Sequence, residues 1–540
     1  MGKPSKKSGT PDDQQFNLFV ELPNGGKLGR TAADSGRRFI TGDPRAIVIG
    51  TTPLEQYLRE SGQGGVFTVA RLLDEQDWTE FEGSYAATGR PPFSPRQMLG
   101  LILYGVMQGG HSLRELERLA RLDLGCMWIT GGIAPDFTKI GRFITKHETS
   151  LTSSFFESLT RQVLKVTGAK SERLAGDGTV IEAACSHYNL LKEDAIRARA
   201  VEAQAALAAR PDDLALQREH QLSEQCVKVF EERAVARKRN SRSTETLGVS
   251  ATEPEAVVQL LKRGKGFSTS YKPSILANED RIITAIAIDP SSETKVVAAL
   301  LDQSERVVGS KPDEVLFDAG YFDDGVIAAT LERDISLLCP DGQVPGTLKQ
   351  GNVFPKSQFA FDESTDTYRC PAGRTLIFMK QFEATKTKPA RRQYGTSACQ
   401  QCAMRPDCTT QKRRPILRNA NDERRDALRH VMQRAQVRGV FAQRKAMVEP
   451  VFSHLRGKQG LNRFRRKGLN GASREFALHA LAHNLARAVA LLGTEFGLIA
   501  AFTWLFQACQ LLRLRVGDIF RLLFQFDHGK VRLARSERFV

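Results

Sequence analysis

Residues 314–323 read EVLFDAGYFD and residues 173–184 read RLAGDGTVIEAA. In the first stretch Val315, Leu316 and Phe317 make a short, wholly apolar run, as a strand buried on both faces requires, and the run ends on Asp318. A helical segment (DDGVIAATLER) and a second apolar strand (ISLLC) follow at once. Strand, helix and strand in this order predict a sheet with parallel strands. The ligand site of such a sheet lies at the carboxyl ends of those strands, where Asp318 emerges. In the second stretch β-branched residues and glycines surround one aspartate, which predicts a first strand carrying Asp177. Further strands are expected at Phe267–Leu276 and Arg281–Ile288, and Val297–Val308 has helical spacing.

Working outward, residues 1–65 are rich in turn formers and read as a flexible arm. Ser94, with Pro95 at the first helical position, opens a helix through MLGLILYGVM that Gly109 and Gly110 end. Ser112 opens a second with Glu115 in the capping-box position, and a third begins near Asp136, after the loop around Gly131 and Gly132. Three short helices with tight turns predict an all-α, helix-turn-helix-like domain over residues 66–168 that contacts DNA. Residues 192–242 predict two helices joined by a capped turn at Pro211-Asp212-Asp213. After Cys339 a long stretch has no periodicity and reads as an insertion, before a strongly helical region from Asp422 to Leu492.

The chain has 540 residues, more than one core of roughly 250 to 300 residues serves, so several domains are expected. Its 78 Lys and Arg against 61 Asp and Glu, net +17, favour a polyanionic partner, nucleic acid first among them. The polar amino terminus has no secretory signal, so a cytoplasmic protein without a membrane partner is expected. The apolar run 496–512 (FGLIAAFTWLFQACQLL) is short for a membrane span and reads as a buried helix.

Together, RPPFSPRQMLGLILYGVMQGGHSLRELERL (90–119), AGDGTVIEAA, VLFDAGYFD, RKAMVEPVFSHLRGKQGLNRFRRKG (444–468) and LHALAHNLAR (478–487) resemble the DDE transposases of bacterial insertion sequences. The resemblance spans roughly residues 70–490. It implies a ribonuclease-H-like α/β domain, a mixed sheet with flanking helices, over residues 169–492. A helical insertion (190–248) and a Cys-rich one (340–415) would interrupt it, and a helical tail would occupy 493–540. Carried over by motif, Asp177 is the first-strand aspartate, Asp318 the aspartate ending the fourth strand, and Glu449 the glutamate of the following helix; Asp313, Asp323 and Asp324 are weaker candidates for the second place.

Three carboxylates suit two magnesium or manganese ions about 4 Å apart, one at the attacking and one at the leaving oxygen of an in-line phosphodiester displacement. Gly176 and Gly178 would let metal and backbone approach Asp177 closely. Lys445 and Arg456 flank Glu449 on its helix and could hold phosphate, while Ala442 stands where some relatives place a tyrosine. Arg463, Arg465, Arg466 and Lys467 cluster around Phe464, a pattern suited to phosphate contacts with aromatic stacking. Cys370, Cys399, Cys402 and Cys408 supply four thiols within 39 residues, a set for structural zinc. His479 and His483 stand four apart on an apolar helix and read as packed core histidines.

These readings predict a transposase acting on terminal inverted repeats and target DNA as at least a homodimer. A DNA-binding regulator without strand transfer, or a metal-dependent nuclease of the same fold, are the alternatives.

Overall fold

The computed structural model describes residues 38–511, except 153, 187–188, 240, 262–265, 343–353, 355, 385–389 and 410, together with the strands Phe524–Asp527 and Lys530–Leu533. The chain forms two compact units, one ending at His147 and the other beginning at Glu148.

The first unit is helical. Nearly every residue of the helix Pro95–Met107 is buried, so it is the bundle's central rod. Ser112 and Glu115 complete the expected capping box on Leu113–Leu122, and Asp136 caps Phe137–Lys146. A further helix, Leu124–Thr130, stands just before the loop expected around Gly131 and Gly132; Asp123 caps it and Gly131, at φ 65°, ends it. The arm expected through residue 65 is folded from Phe39 onward. Phe39 is buried, Ile40 bridges to Phe93, and the Gln97 side chain bonds both backbone groups of Gly42 at 3.0 and 3.2 Å. Gly42 also lies so close to Gly131 that a Cβ on either would strike the other's backbone. Such long-range contacts leave no local periodicity to read. Residues 1–37 of the expected arm lie outside the described residues.

The second unit is a mixed α/β structure. Its sheet contains β1 (Arg173–Gly178), β2 (Phe267–Asn278), β3 (Ile283–Asp289), β4 (Glu314–Leu316) and β5 (Ser336–Leu338) in the order 3-2-1-4-5. β2 runs antiparallel to both β1 and β3, whereas β1, β4 and β5 are mutually parallel, with Leu316 opposite Ala175 and Leu338. Leu174, Leu276, Ala285, Val315 and Phe317 join Leu300 and Leu301 of α1 (Val297–Val308) in one buried core. The helix Ser154–Thr167, expected in the amino-terminal domain, belongs here, because its apolar face of Phe156, Leu159 and Val163 is buried in this unit. Asn484 satisfies the backbone of edge strand β3, accepting from Ile283 N and donating to Ile283 O, both at 2.8 Å.

Two helices, Glu193–Ala209 and Leu214–Arg239, form the expected pair, with Asp213 accepting from Ala215 N at the turn. The stretch after Cys339, read as an insertion without periodicity, contains a five-stranded antiparallel sheet between Ala360 and Asn419 with its own small core of Phe359, Tyr368, Leu376, Tyr394 and Ile416. The main chain returns at the helix Asp422–Gln433, whose Arg429 pairs with Asp341 at 2.7 Å. Next come α2 (Arg444–Gly457) and α3 (Gly468–Leu511). Within α3, Gly468–Gly493 is apolar and long enough to cross a membrane, but two thirds of its most apolar window is buried inside the unit, as in a core helix. The burial expected for 496–512 lies outside the described side chains. The tail expected to be helical from residue 493 is helical through Leu511, the end of α3, and further on contains an antiparallel strand pair, Phe524 opposite Leu533 and Phe526 opposite Val531.

Candidate active site

Asp177 lies on β1 and Asp318 lies two residues past the end of β4, so the parallel pairing of these neighbours brings both aspartates to the same end of the sheet. Asp318 also caps the short turn Ala319–Tyr321, accepting from Gly320 N at 2.9 Å, which fixes one of its oxygens. Asp323 and Asp324 are engaged elsewhere: Asp323 caps the following helix and Asp324 pairs with Arg425 at 2.5 Å.

A cation stands between the aspartates. Arg444 Nη2 is 3.0 Å from Asp177 Oδ1 and 3.7 Å from Asp318 Oδ2, and its side chain is only 8% exposed. The same guanidinium donates to Gly176 O through Nε at 3.2 Å and Nη2 at 3.0 Å. The sequence carried a signal for this residue. Arg444 shares a helix face with Val448, Val451 and Leu455, all buried, and a charge in an apolar stripe requires a partner.

Glu449 is exposed on α2. Its helix is tied to the strand on both sides of Asp177: Arg444 reaches Gly176 O, and Arg456, near the other end, donates to Thr179 Oγ1 and, at 2.6 Å, to Val180 O. Arg456 therefore holds protein carbonyl and hydroxyl groups, while Lys445 is exposed. Among the described residues no three His, Cys, Asp or Glu side chains come close enough together to hold a metal ion, so Glu449 is not gathered with the two aspartates in this arrangement.

The glycines beside Asp177 serve packing. A Cβ on Gly176 would lie 2.0 Å from the Phe317 ring, and one on Gly178 would lie 2.6 Å from Glu293 Cγ. Glu293 is thus an acidic neighbour of the site that sequence reasoning missed, 3.8 Å from Lys272 Nζ. Burial, then the charge of Glu293, pushes the Tyr321 hydroxyl well above the ordinary phenol range; the charges of Asp177 and Asp318 push the same way.

The basic cluster divides. Phe464, expected to stack on bases, is buried against Tyr271, ring centres 6.0 Å apart. Arg463 spends its guanidinium on the carbonyls of Ala183, Ala184 and Cys185 at 2.9 to 3.0 Å. Burial lowers the Arg466 pKa, and the Glu475 carboxylate accepts from the backbone N–H of Arg465 and Arg466. Arg465 and Lys467 remain exposed.

Cys370, Cys399, Cys402 and Cys408 line one cavity. Cys370 sits on a tight turn in which Arg374 N donates to its sulfur at 3.3 Å and Gly373 adopts φ 72°. Burial pushes the Cys408 thiol pKa up. His479 and His483 are buried, as expected of core histidines.

Two family models match the chain. One, described as a transposase DDE domain, covers residues 369–489, and the other, described as a transposase domain, covers residues 64–146. Over these two segments the chain is similar to the DDE transposases of insertion sequences. No curated protein matches it. The DDE-domain match takes in the four clustered cysteines and Glu449, while Asp177 and Asp318 lie upstream of it. The second match falls within the helical unit. Transposases act on DNA, and those of this family generally use divalent metal ions. The donor chemistry in this chain fits such ions, since two carboxylates at adjacent strand ends already share a cation.

Proposed function

We propose that the chain cuts DNA at the ends of its element and joins the freed ends to target DNA, with Asp177, Asp318 and Glu449 as the acidic trio. The observation that carries this reading is the placement of Asp177 and Asp318 at the ends of two hydrogen-bonded parallel strands, with the Glu449 helix tied on either side of Asp177. A 3-2-1-4-5 strand order with β2 reversed supports a ribonuclease-H-like domain.

Asp177 and Asp318 would hold divalent magnesium or manganese from the sheet, and Glu449 would complete the set from α2. Ions bound there supply acidification of water and neutralisation of charge on the phosphodiester. The protein's residues orient the scissile phosphate so that water, and then the released 3′-hydroxyl, attacks in line. No covalent link to the protein is required. Lys445, Arg465 and Lys467 are exposed cations that would bind phosphates, whereas Arg456, Arg463 and Arg466 act through the protein framework. The helical unit would read the terminal repeats, and bringing two ends together calls for at least a dimer.

We also assign a structural zinc ion to Cys370, Cys399, Cys402 and Cys408. The shared cavity and the backbone N–H donated to the Cys370 sulfur support this. The thiols would draw closer around the ion, since they are not gathered tightly enough to hold one as they stand.

The deciding experiment offers pre-cut and uncut end DNA with magnesium and scores joined product. Joining by the wild type and not by Asp318→Asn supports the reading; joining that survives Asp318→Asn removes it. Cleavage without joining would instead favour a nuclease.

A further inference from the structure

The strongest unexplained feature of the site is a buried arginine whose charge lies where cations are expected. We propose that Arg444 is the resident counter-cation of the Asp177–Asp318 pair, holding the two carboxylates together before divalent ions bind and yielding Asp177 to them. The inference rests on the assignment of both aspartates to the ion site.

Three observations lead to it. The parallel register of β1 and β4 forces two carboxylates toward one another at the sheet's end, and their repulsion opposes closure of the strand ends. Arg444 Nη2 reaches both, nearer to the less exposed one: the Asp177 side chain is 19% exposed and that of Asp318 46%. Its location is set independently of the carboxylates, because Nε and Nη2 are anchored on Gly176 O and the residue lies in the buried stripe of α2. The arginine is therefore built into the interface between helix and strand, and is no loose surface side chain settling on the nearest acid.

An oxygen that accepts a charge-assisted hydrogen bond offers less electron density to a metal, and a guanidinium beside a dication adds repulsion. Ion binding and the Arg444 contact to Asp177 Oδ1 thus compete. The same residue that lowers the cost of assembling the ion-free site raises the ion concentration needed to fill it. Arg444 is accordingly a positioning residue whose influence passes through Asp177 and Asp318.

The test measures manganese binding by calorimetry, and thermal unfolding in EDTA, on the full chain carrying Arg444→Ala or Arg444→Lys. Arg444→Ala should bind manganese about tenfold more tightly, the scale of one removed charge contact, and unfold at lower temperature in EDTA. Arg444→Lys, which retains charge but has a single point of donation, should fall between it and wild type, and it stands in should the alanine variant fail to fold. Unchanged or weaker manganese binding in Arg444→Ala, or in Arg444→Lys alone, overturns the proposal. Asp177→Asn separates the two readings: if it binds manganese as the wild type does, the site assignment itself fails.

Discussion

His454 and His483 face each other Nδ1 to Nδ1 at 3.0 Å, joining the Glu449 helix to α3. His483 Nε2 lies 2.8 Å from Arg281 O, so that nitrogen carries the proton, and His454 Nδ1 must then donate to the bare His483 Nδ1. Both rings cannot be charged at once in this arrangement, because one of the two facing Nδ1 atoms must be bare. Burial pushes the His483 pKa down to about 3 and lowers that of His454.

Stability should therefore fall on the acid side. Folded values below the unfolded value mean that this contribution is complete above about pH 6.5 and is lost as the pH drops below it, at about 1.4 kcal/mol per pH unit for a fully buried histidine. His147 in the first unit, held at about 4 by burial, should produce a weaker trend of the same sign. Urea unfolding between pH 8 and pH 5 measures this, and His483→Gln should flatten the curve; an identical slope in that variant would contradict the pairing.

Glu449→Gln should reduce strand transfer by at least about a hundredfold while shifting stability by less than about 1 kcal/mol, because the residue is exposed on its helix. Activity and melting temperature of the same preparation decide the matter. Loss of both together would make Glu449 a structural residue.

Phe464→Ala should cost about 3 to 5 kcal/mol, the usual range for emptying a buried aromatic site. Arg465→Ala and Lys467→Ala should leave stability nearly unchanged and each reduce the salt dependence of DNA binding by about one unit of log–log slope. Fluorescence anisotropy across a salt series reads the second effect. Retention of wild-type slopes would move the phosphate contacts elsewhere.

Removing zinc with a strong chelator should expose the sheet between Ala360 and Asn419 to protease while leaving β1 to β5 protected, since that sheet has a core of its own. Cys399→Ser should reproduce the effect without chelator. Equal digestion with and without zinc would count against the ion.

What could be read from residues alone follows from where burial leaves a pattern. β1, β4, β5 and α1 show as apolar runs or helical spacing because each turns apolar residues into the shared core, and the two aspartates were located by the strands that carry them there. The five-stranded sheet was illegible because its longest strand, Thr375–Phe382, is exposed over most of its length, so no alternation marks it. Phe464 misled because its basic neighbours dominate the local composition while its own contact, Tyr271, is almost two hundred positions away. Arg444 was passed over in favour of Lys445, one step along a helix, where one step is a rotation of about 100° and exchanges the sheet for solvent.

The ion pair between Asp341 and Arg429 has an architectural meaning of its own. It pins the chain leaving β5 to the helix by which the chain returns, at the two ends of the segment that contains the five-stranded sheet. Such a segment can lengthen, shorten or be exchanged over evolutionary time without altering how β4 and β5 register. Changes in that segment can thereby leave undisturbed the strand ends where Asp177 and Asp318 stand.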